Sequence, residues 1–439
     1  MKTAIVGAGL GGLACAIACR REDLAVVVLE RSPDGCEIGA GIQIPPNGAR
    51  ILKELGLLHK LLEAGSVVQH VDFRRYDDGH LLRSMPFGDD IVEEFGVPWI
   101  IIHRQDLHRV LLDEATRLGA EVRLNAEVTD VVFEGPEVLL AGGERVAGDV
   151  IIGADGLYSR VRDLVLGSPT VPQETGDLAY RATFKKEQLE ALNDPKVEEL
   201  CRKSAVTSWL GPGKHSIFYP VRGGEEFNLV LLRPDNLEKG ARRVEGDVAE
   251  MRESYAGWDE TLRKLISCVP SVNKWKLAHL PELPTWTKGT VALLGDACHP
   301  TLPYQAQGAA MAVEDGFAVG KLLGLLNEKN SRSDPAMPSQ EATRQDIAAV
   351  LGIYEQVRKG RTARSVRAAI ANRWIFHIPD GILQRLRDFV LGSAGMTRKS
   401  DWTWLFSWRM KQTLYHDLPA DCQRAFEAYS PRPAENRPG

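Results

Sequence analysis

Lys2-Thr3-Ala4-Ile5-Val6-Gly7-Ala8-Gly9-Leu10-Gly11-Gly12-Leu13-Ala14-Cys15-Ala16-Ile17-Ala18 follows Met1, and Val26-Val27-Val28-Leu29-Glu30 comes shortly after. The pattern spells strand, glycine turn, helix, strand, acid. Gly7 permits the tight turn, Gly9 lets backbone approach a pyrophosphate, and Gly12 lets the helix lie close on the strand. The first helical amides then face the phosphates. Glu30 closes the second strand, where it can take a ribose hydroxyl pair. Gly-x-Gly-x-x-Gly alone is a weak signal. With a strand before it, a helix behind it and an acid at this distance, it predicts a dinucleotide site rather than an ordinary βα turn. NAD and FAD are equally compatible with the unit.

The whole chain sets the bounds. Its 439 residues suffice for two or three packed layers and two intertwined domains. Hydrophobic residues make up 44% and charged residues 26%, an ordinary globular balance. A net charge of −5 provides no basic excess to neutralise nucleic-acid phosphates. The seven cysteines form no CxxC pair, so neither a disulfide framework nor a metal site is expected. The first strand begins almost at Met1, which leaves no room for a signal peptide, and no apolar run has the length of a membrane span. The expectation is a soluble, cytoplasmic monomer or homodimer with reduced thiols.

Taken in order, Gly39-Ala40-Gly41-Ile42-Gln43-Ile44-Pro45-Pro46-Asn47 reads as a loop close enough to the first βαβ unit to lie over a cofactor. Ala49 to Leu62 has helical spacing, and residues 71–82 read as a hairpin turning at Asp78-Gly79. Arg104 precedes a second helix, where it can meet a phosphate or form a helix-start salt bridge. His108 reads as a surface or packing residue. Val146 to Ile152 is a buried strand ending at Gly153-Ala154-Asp155-Gly156. Asp155 suits either a helix-start acid or a site at a strand's carboxyl end.

From Asp177 to about Pro284 the runs alternate, with turns at Gly211-Pro212-Gly213 and Gly223-Gly224, as in an antiparallel sheet. Thr290 to Leu294 is again a buried strand. It ends at Gly295-Asp296-Ala297-Cys298-His299-Pro300, and a helix of small residues starts at Gly308-Ala309. Asn327 to Asp346 is polar and reads as a loop. Ala348 to Ala371 is helical, and its basic run (Arg358, Lys359, Arg361, Arg364, Arg367) reads as a solvated or ion-paired face. Trp402, Trp404, Phe406 and Trp408 read as packing on the body or on a partner subunit.

The stretches Gly7-x-Gly9-x-x-Gly12, Gly153-Ala154-Asp155-Gly156 and Gly295-Asp296-Ala297-Cys298-His299-Pro300, in this order, resemble the FAD-dependent aromatic hydroxylases, the para-hydroxybenzoate and salicylate hydroxylase-like flavin monooxygenases. Ile42 to Asn47 and Pro300 to Gly308 are similar to the fungal salicylate hydroxylase-like branch. The resemblance implies an α/β fold. A Rossmann-like FAD-binding domain would comprise residues 1–176 and 285–371, an inserted antiparallel-sheet substrate domain 177–284, and a C-terminal helical tail 372–439.

The resemblance also implies roles. Gly7, Gly9, Gly12, Glu30, Arg31, Gly41, Ile42, Arg104, Asp155, Gly156, Asp296, Gly308 and Ala309 would bind FAD. Glu30 would serve the ribose, Arg104 the phosphate–ribityl region, Asp296 the ribityl or pyrophosphate, and Gly308 and Ala309 the isoalloxazine. Asp155 and Gly156 would also serve NAD(P)H, the co-substrate. NAD(P)H would reduce FAD, O₂ would add to form a C4a-hydroperoxide, and an electron-rich arene such as a salicylate-type acid would attack it. His215 and Tyr219, four apart on one strand face, resemble residues that bind and deprotonate a ring hydroxyl; otherwise Tyr219 is core and His215 a turn residue. Arg181 would pair with a substrate anion or form a structural salt bridge, and Gln305 would line the pocket. Epoxidation or dearomatising hydroxylation of an indole or polyketide phenol keeps the same fold, and a degenerate nucleotide-binding regulator is the non-enzyme alternative.

Overall fold

The computed structural model describes residues 1–33, 35, 40–332, 340–393 and 412–429. The four tail aromatics lie outside these residues, as does Gly39. Lys2–Val6 lies near the middle of a six-stranded sheet. It pairs in parallel with Ala25–Leu29 on one side and Val150–Gly153 on the other, and Val291–Leu293 extends the sheet in parallel. The registers align Val6 with both Leu29 and Gly153, and Gly153 with Leu293. The three glycine-bearing turns therefore emerge side by side at the carboxyl edge of one sheet, where open α/β folds bind ligands. These strands are buried on both faces, as their near-continuous Val, Ile and Leu content requires.

A second sheet of eight strands stands over that edge. Three of its central strands are antiparallel neighbours: Gln173–Lys185 pairs with Glu226–Pro234, which pairs with Lys214–Val221. Side chains alternate. Phe218, Leu229 and Leu231 face helices bearing Met251, Leu262 and Leu265, while Ile217, Tyr219, Val230 and Leu232 face a cavity.

Several expectations are corrected. The 71–82 hairpin forms, as His70–Arg75 with Leu81–Pro86, but it joins the second sheet through a parallel pairing with Ala205–Gly211. Val71 and Phe73 pack there with Val206 and Leu210. Sheet membership thus cuts across the sequential 1–176 and 177–284 segments. The stretch read as a loop at 39–47 contains a strand, Gly41–Ile44, paired with Ile100–His103. Its prolines begin the helix Pro46–Glu54, where Pro suits the first helical position. The helical stretch read at 49–62 is two helices, broken at Gly56 with φ +74°. The polar stretch at 327–346 is mostly helix, because Gly308–Arg332 continues through Asn327 and Gln340–Phe376 starts before Asp346.

Candidate active site

Two cavities meet along the sheet edge. One, of about 330 Å³, runs from Gly9–Gly12 past Asp296 to the second sheet. The other, of about 260 Å³, lies between the glycine turn, Glu30 and Gly156. Gly9, Ala154 and Gly156 belong to both, so together they form one elongated cleft.

The glycine turn is fixed by close backbone approach. Gly7 has φ +107°, and a Cβ there would lie 2.5 Å from the Ala154 carbonyl oxygen. A Cβ on Gly12 would lie 2.1 Å from the Gly7 oxygen. The helix Leu10–Arg21 has no side-chain cap and no acid in its first turn. Its leading residues line the cleft with their positive dipole end available to phosphate. Glu30 braces the turn by accepting from the Ala8 amide and the Ser32 amide, both at 2.8 Å. Each oxygen keeps a further acceptor site, and Arg31 lies beside it on the cavity wall. His108 is a packing residue: its Nε2 lies 2.8 Å from the Ala8 oxygen.

Asp155 is engaged by the fold. Its carboxylate accepts from Ser159 Oγ at 2.5 Å and from the Arg160 and Val161 amides at 2.7 and 3.0 Å. Burial raises its pKa against these bonds. The carboxylate thus caps the helix start, Asp155 also lines the smaller cavity, and Gly156 (φ +77°) is shared by both cavities.

Asp296 lies in a single 3₁₀ turn, Gly295–Ala297, with its side chain exposed to the larger cavity. Gly41, Ile42, Arg104, Gly308 and Ala309 line that cavity too. Beneath the Asp296 turn sits a buried charge cluster that sequence reasoning missed. Asp315 accepts from the Gly295 amide at 2.9 Å, His299 Nε2 at 2.5 Å and Arg358 Nε at 2.6 Å. Burial opposes its charge, but His299 and Arg358 hold its carboxyl below the ordinary range. Glu314 pairs with Arg358 at 2.8 Å and Arg361 at 2.9 Å. The ion-paired reading of this basic face holds for both arginines, which are buried rather than solvated. Two adjacent acids in an otherwise small and apolar helix were the available signal. Cys298, His299 and Asp315 bring donor atoms within 4.8 Å of one another, but Asp315 is already neutralised by its partners.

On the second sheet, Arg181 and Tyr219 both line the cavity. Their strands flank Glu226–Pro234 rather than being neighbours. Among the described residues Arg181 makes no hydrogen bond or ion pair, which removes the structural salt bridge. Its exposed surface opens into the cavity. Desolvation by the enclosing cavity walls holds its pKa below the ordinary arginine value, with Tyr219 opposing and Arg104 reinforcing the shift. Tyr219 is 4% exposed, and burial raises its pKa against the pull of Arg181.

Two expected pocket residues are displaced. His215 is fully buried and is not on the cavity wall; its ring sits among Tyr304, Phe376 and His377. Gln305 is also off the wall, and Gln307 lines it instead. The loop turns at Ala306, with φ +56°, between the two glutamines.

The cleft suits FAD: a braced glycine turn and an acid at one end, helix amides along its length, and a wider chamber at the other. The family model described as FAD binding domain matches residues 1–351. The chain is 38% identical over 418 residues to the FAD-dependent monooxygenase OpS4 of Beauveria bassiana (strain ARSEF 2860), covering 92% of this chain and 94% of that protein. It is 34% identical over 410 residues to 3-hydroxybenzoate 6-hydroxylase 1 of Aquipseudomonas alcaligenes, covering 92% and 96%. A solved salicylate hydroxylase substrate complex shares the fold, with a TM-score of 0.78 at 24% identity over 99% of both chains. The chain belongs to the FAD-binding family of aromatic hydroxylases. It is a flavoprotein and an FAD-dependent monooxygenase. Among the described residues no helix is long and apolar enough to cross a membrane.

Proposed function

We propose that this enzyme hydroxylates an electron-rich aromatic substrate bearing a negative charge, a hydroxybenzoate-like acid or a phenolate, with NAD(P)H as reductant. The observation that carries this reading is Arg181, a guanidinium that has no hydrogen-bond or ion-pair partner among the described residues and lines the chamber beside Ile217, Val230 and Leu232. A guanidinium that opens into a cavity and has both donor edges available is suited to charge-assisted hydrogen bonds with an anionic ligand. Ile217, Val230, Leu232 and Leu302 supply flat apolar contact for a ring. Bound FAD supplies the redox chemistry, passing electrons from NAD(P)H to O₂ so that one oxygen atom enters the ring and the other leaves as water.

The chain's own residues bind and orient. Arg181 holds the substrate's negative charge. Tyr219 stays protonated, because burial raises its pKa, and donates to a substrate oxygen. Its hydroxyl is therefore a donor in this reading, and His215, walled off from the chamber, is not the base that touches substrate. The Asp155–Gly156 turn, next to both cavities, is the proposed meeting place of FAD with NAD(P)H.

The test is a panel of hydroxybenzoates, phenols and indoles scored by stimulated NAD(P)H oxidation and by a product heavier by one oxygen. Anionic phenolic acids should stimulate most. No stimulation by any member would remove the reading, and stimulation by neutral indoles alone would replace the anion with the epoxidising alternative.

A further inference from the structure

We propose that Asn47 and Gln307 form a carboxamide clasp that sets the spacing between the two walls of the flavin chamber. Gly41 to Gln43 line one wall and Gln307 to Ala309 the other. The first wall runs directly into the helix Pro46–Glu54, whose second residue is Asn47. The second opens the helix Gly308–Arg332. Asn47 Nδ2 donates to Gln307 Oε1 at 3.0 Å, and Gln307 Nε2 donates back to Asn47 Oδ1 at 3.2 Å. The other Asn47 Nδ2 hydrogen goes to Glu314 Oε1 at 2.9 Å. These groups are 1–2% exposed, so none has water as an alternative partner.

The clasp resists sliding. Glu314 is held by Arg358 and Arg361, and Arg361 also donates to the Thr413 carbonyl at 2.7 Å. A shift of Asn47 would strand a buried amide and remove a donor from a buried carboxylate, each of which is penalised. The two helices also touch beside the clasp, where a Cβ on Gly48 would lie 2.9 Å from Ala310 Cβ. Approach is thus limited by backbone contact, and separation by the reciprocal amide bonds. Only Gln307 faces the chamber; Asn47, Glu314 and Arg361 act through it as positioning residues.

The experiment uses the full-length flavoprotein and its apoprotein in a double-mutant cycle of Asn47→Leu and Gln307→Met. FAD affinity is read by quenching of flavin fluorescence, and the share of NAD(P)H oxidation ending as hydrogen peroxide is read separately. Each single variant should weaken FAD binding by roughly tenfold and raise the peroxide share. The double variant should be no worse than the poorer single one, because both remove one shared contact. Additive losses, or unchanged FAD affinity and peroxide share with only a lowered melting temperature, would overturn the proposal. If Asn47→Leu fails to fold, Gln307→Met alone decides, since it leaves the Asn47–Glu314 bond in place.

Discussion

His215 Nδ1 and His377 Nε2 lie 2.8 Å apart, joining the second sheet to the end of the long helix Gln340–Phe376. One ring must donate and the other accept, so the bond is lost once both rings are protonated. Burial holds His215 well below the usual imidazole value, and His377 adds to that shift. His377 is pushed down to about 4, first by burial, with Asp177 opposing and Arg373 reinforcing. Tyr304, hydrogen-bonded to Asp177, flanks both rings.

A folded-state pKa below the unfolded value means the unfolded chain binds more protons at intermediate pH. The stability is therefore complete above about 6.5 and is lost as pH falls toward about 4. We predict that His377→Gln, which keeps a hydrogen-bonding partner for His215 but does not titrate, flattens the fall in melting temperature between pH 7 and pH 5. An identical fall in wild type and variant would mean that the imidazole pair does not govern acid sensitivity.

The Arg358 guanidinium, fully buried, bonds Asp315 at 2.6 Å and Glu314 at 2.8 Å. Arg358→Met leaves two buried carboxylates short of a counter-ion, and such losses cost about 3–5 kcal/mol. Urea unfolding of the FAD-saturated protein checks this. A loss below about 1 kcal/mol, the scale of an exposed ion pair, would show that water reaches the cluster.

Gly12→Ala places a methyl against the Gly7 carbonyl, backbone against which nothing flexible can yield. The variant should elute from gel filtration without flavin while wild type stays yellow. Retained FAD at wild-type stoichiometry would mean that the turn relaxes.

What the sequence made legible was local. Gly7 to Glu30 could be read because turn, helix start and acid lie within one βαβ unit, and the structure keeps each where it was expected. Asp155 shows the limit of such reading. A strand-end acid fits both a helix cap and a ligand site, and Asp155 does the first through its bonds to Ser159, Arg160 and Val161 while also lining the smaller cavity. Long-range facts were invisible. The pairing of His70–Arg75 with Ala205–Gly211 joins segments more than a hundred residues apart, and Glu314 and Asp315 meet Arg358 only when two helices pack. His215 was placed on the correct strand face, but the Tyr304 and Phe376 rings that seal it come from the other side of the chain's long excursion. Gln307 rather than Gln305 lines the cavity, and the intervening left-handed Ala306 carries no glycine to signal the turn.

Recognition of substrate charge falls to Arg181 in the proposed function. Charge-assisted hydrogen bonds contribute about 1.5–3 kcal/mol, a factor of roughly 10 to 100 in selectivity. The most direct measurement is kcat/KM for the most effective hydroxybenzoate of the panel and for its methyl ester, in wild type and in Arg181→Met. Wild type should prefer the free acid by about tenfold or more, and the variant should lose this preference while FAD binding is retained. An equal preference in both proteins would contradict that role.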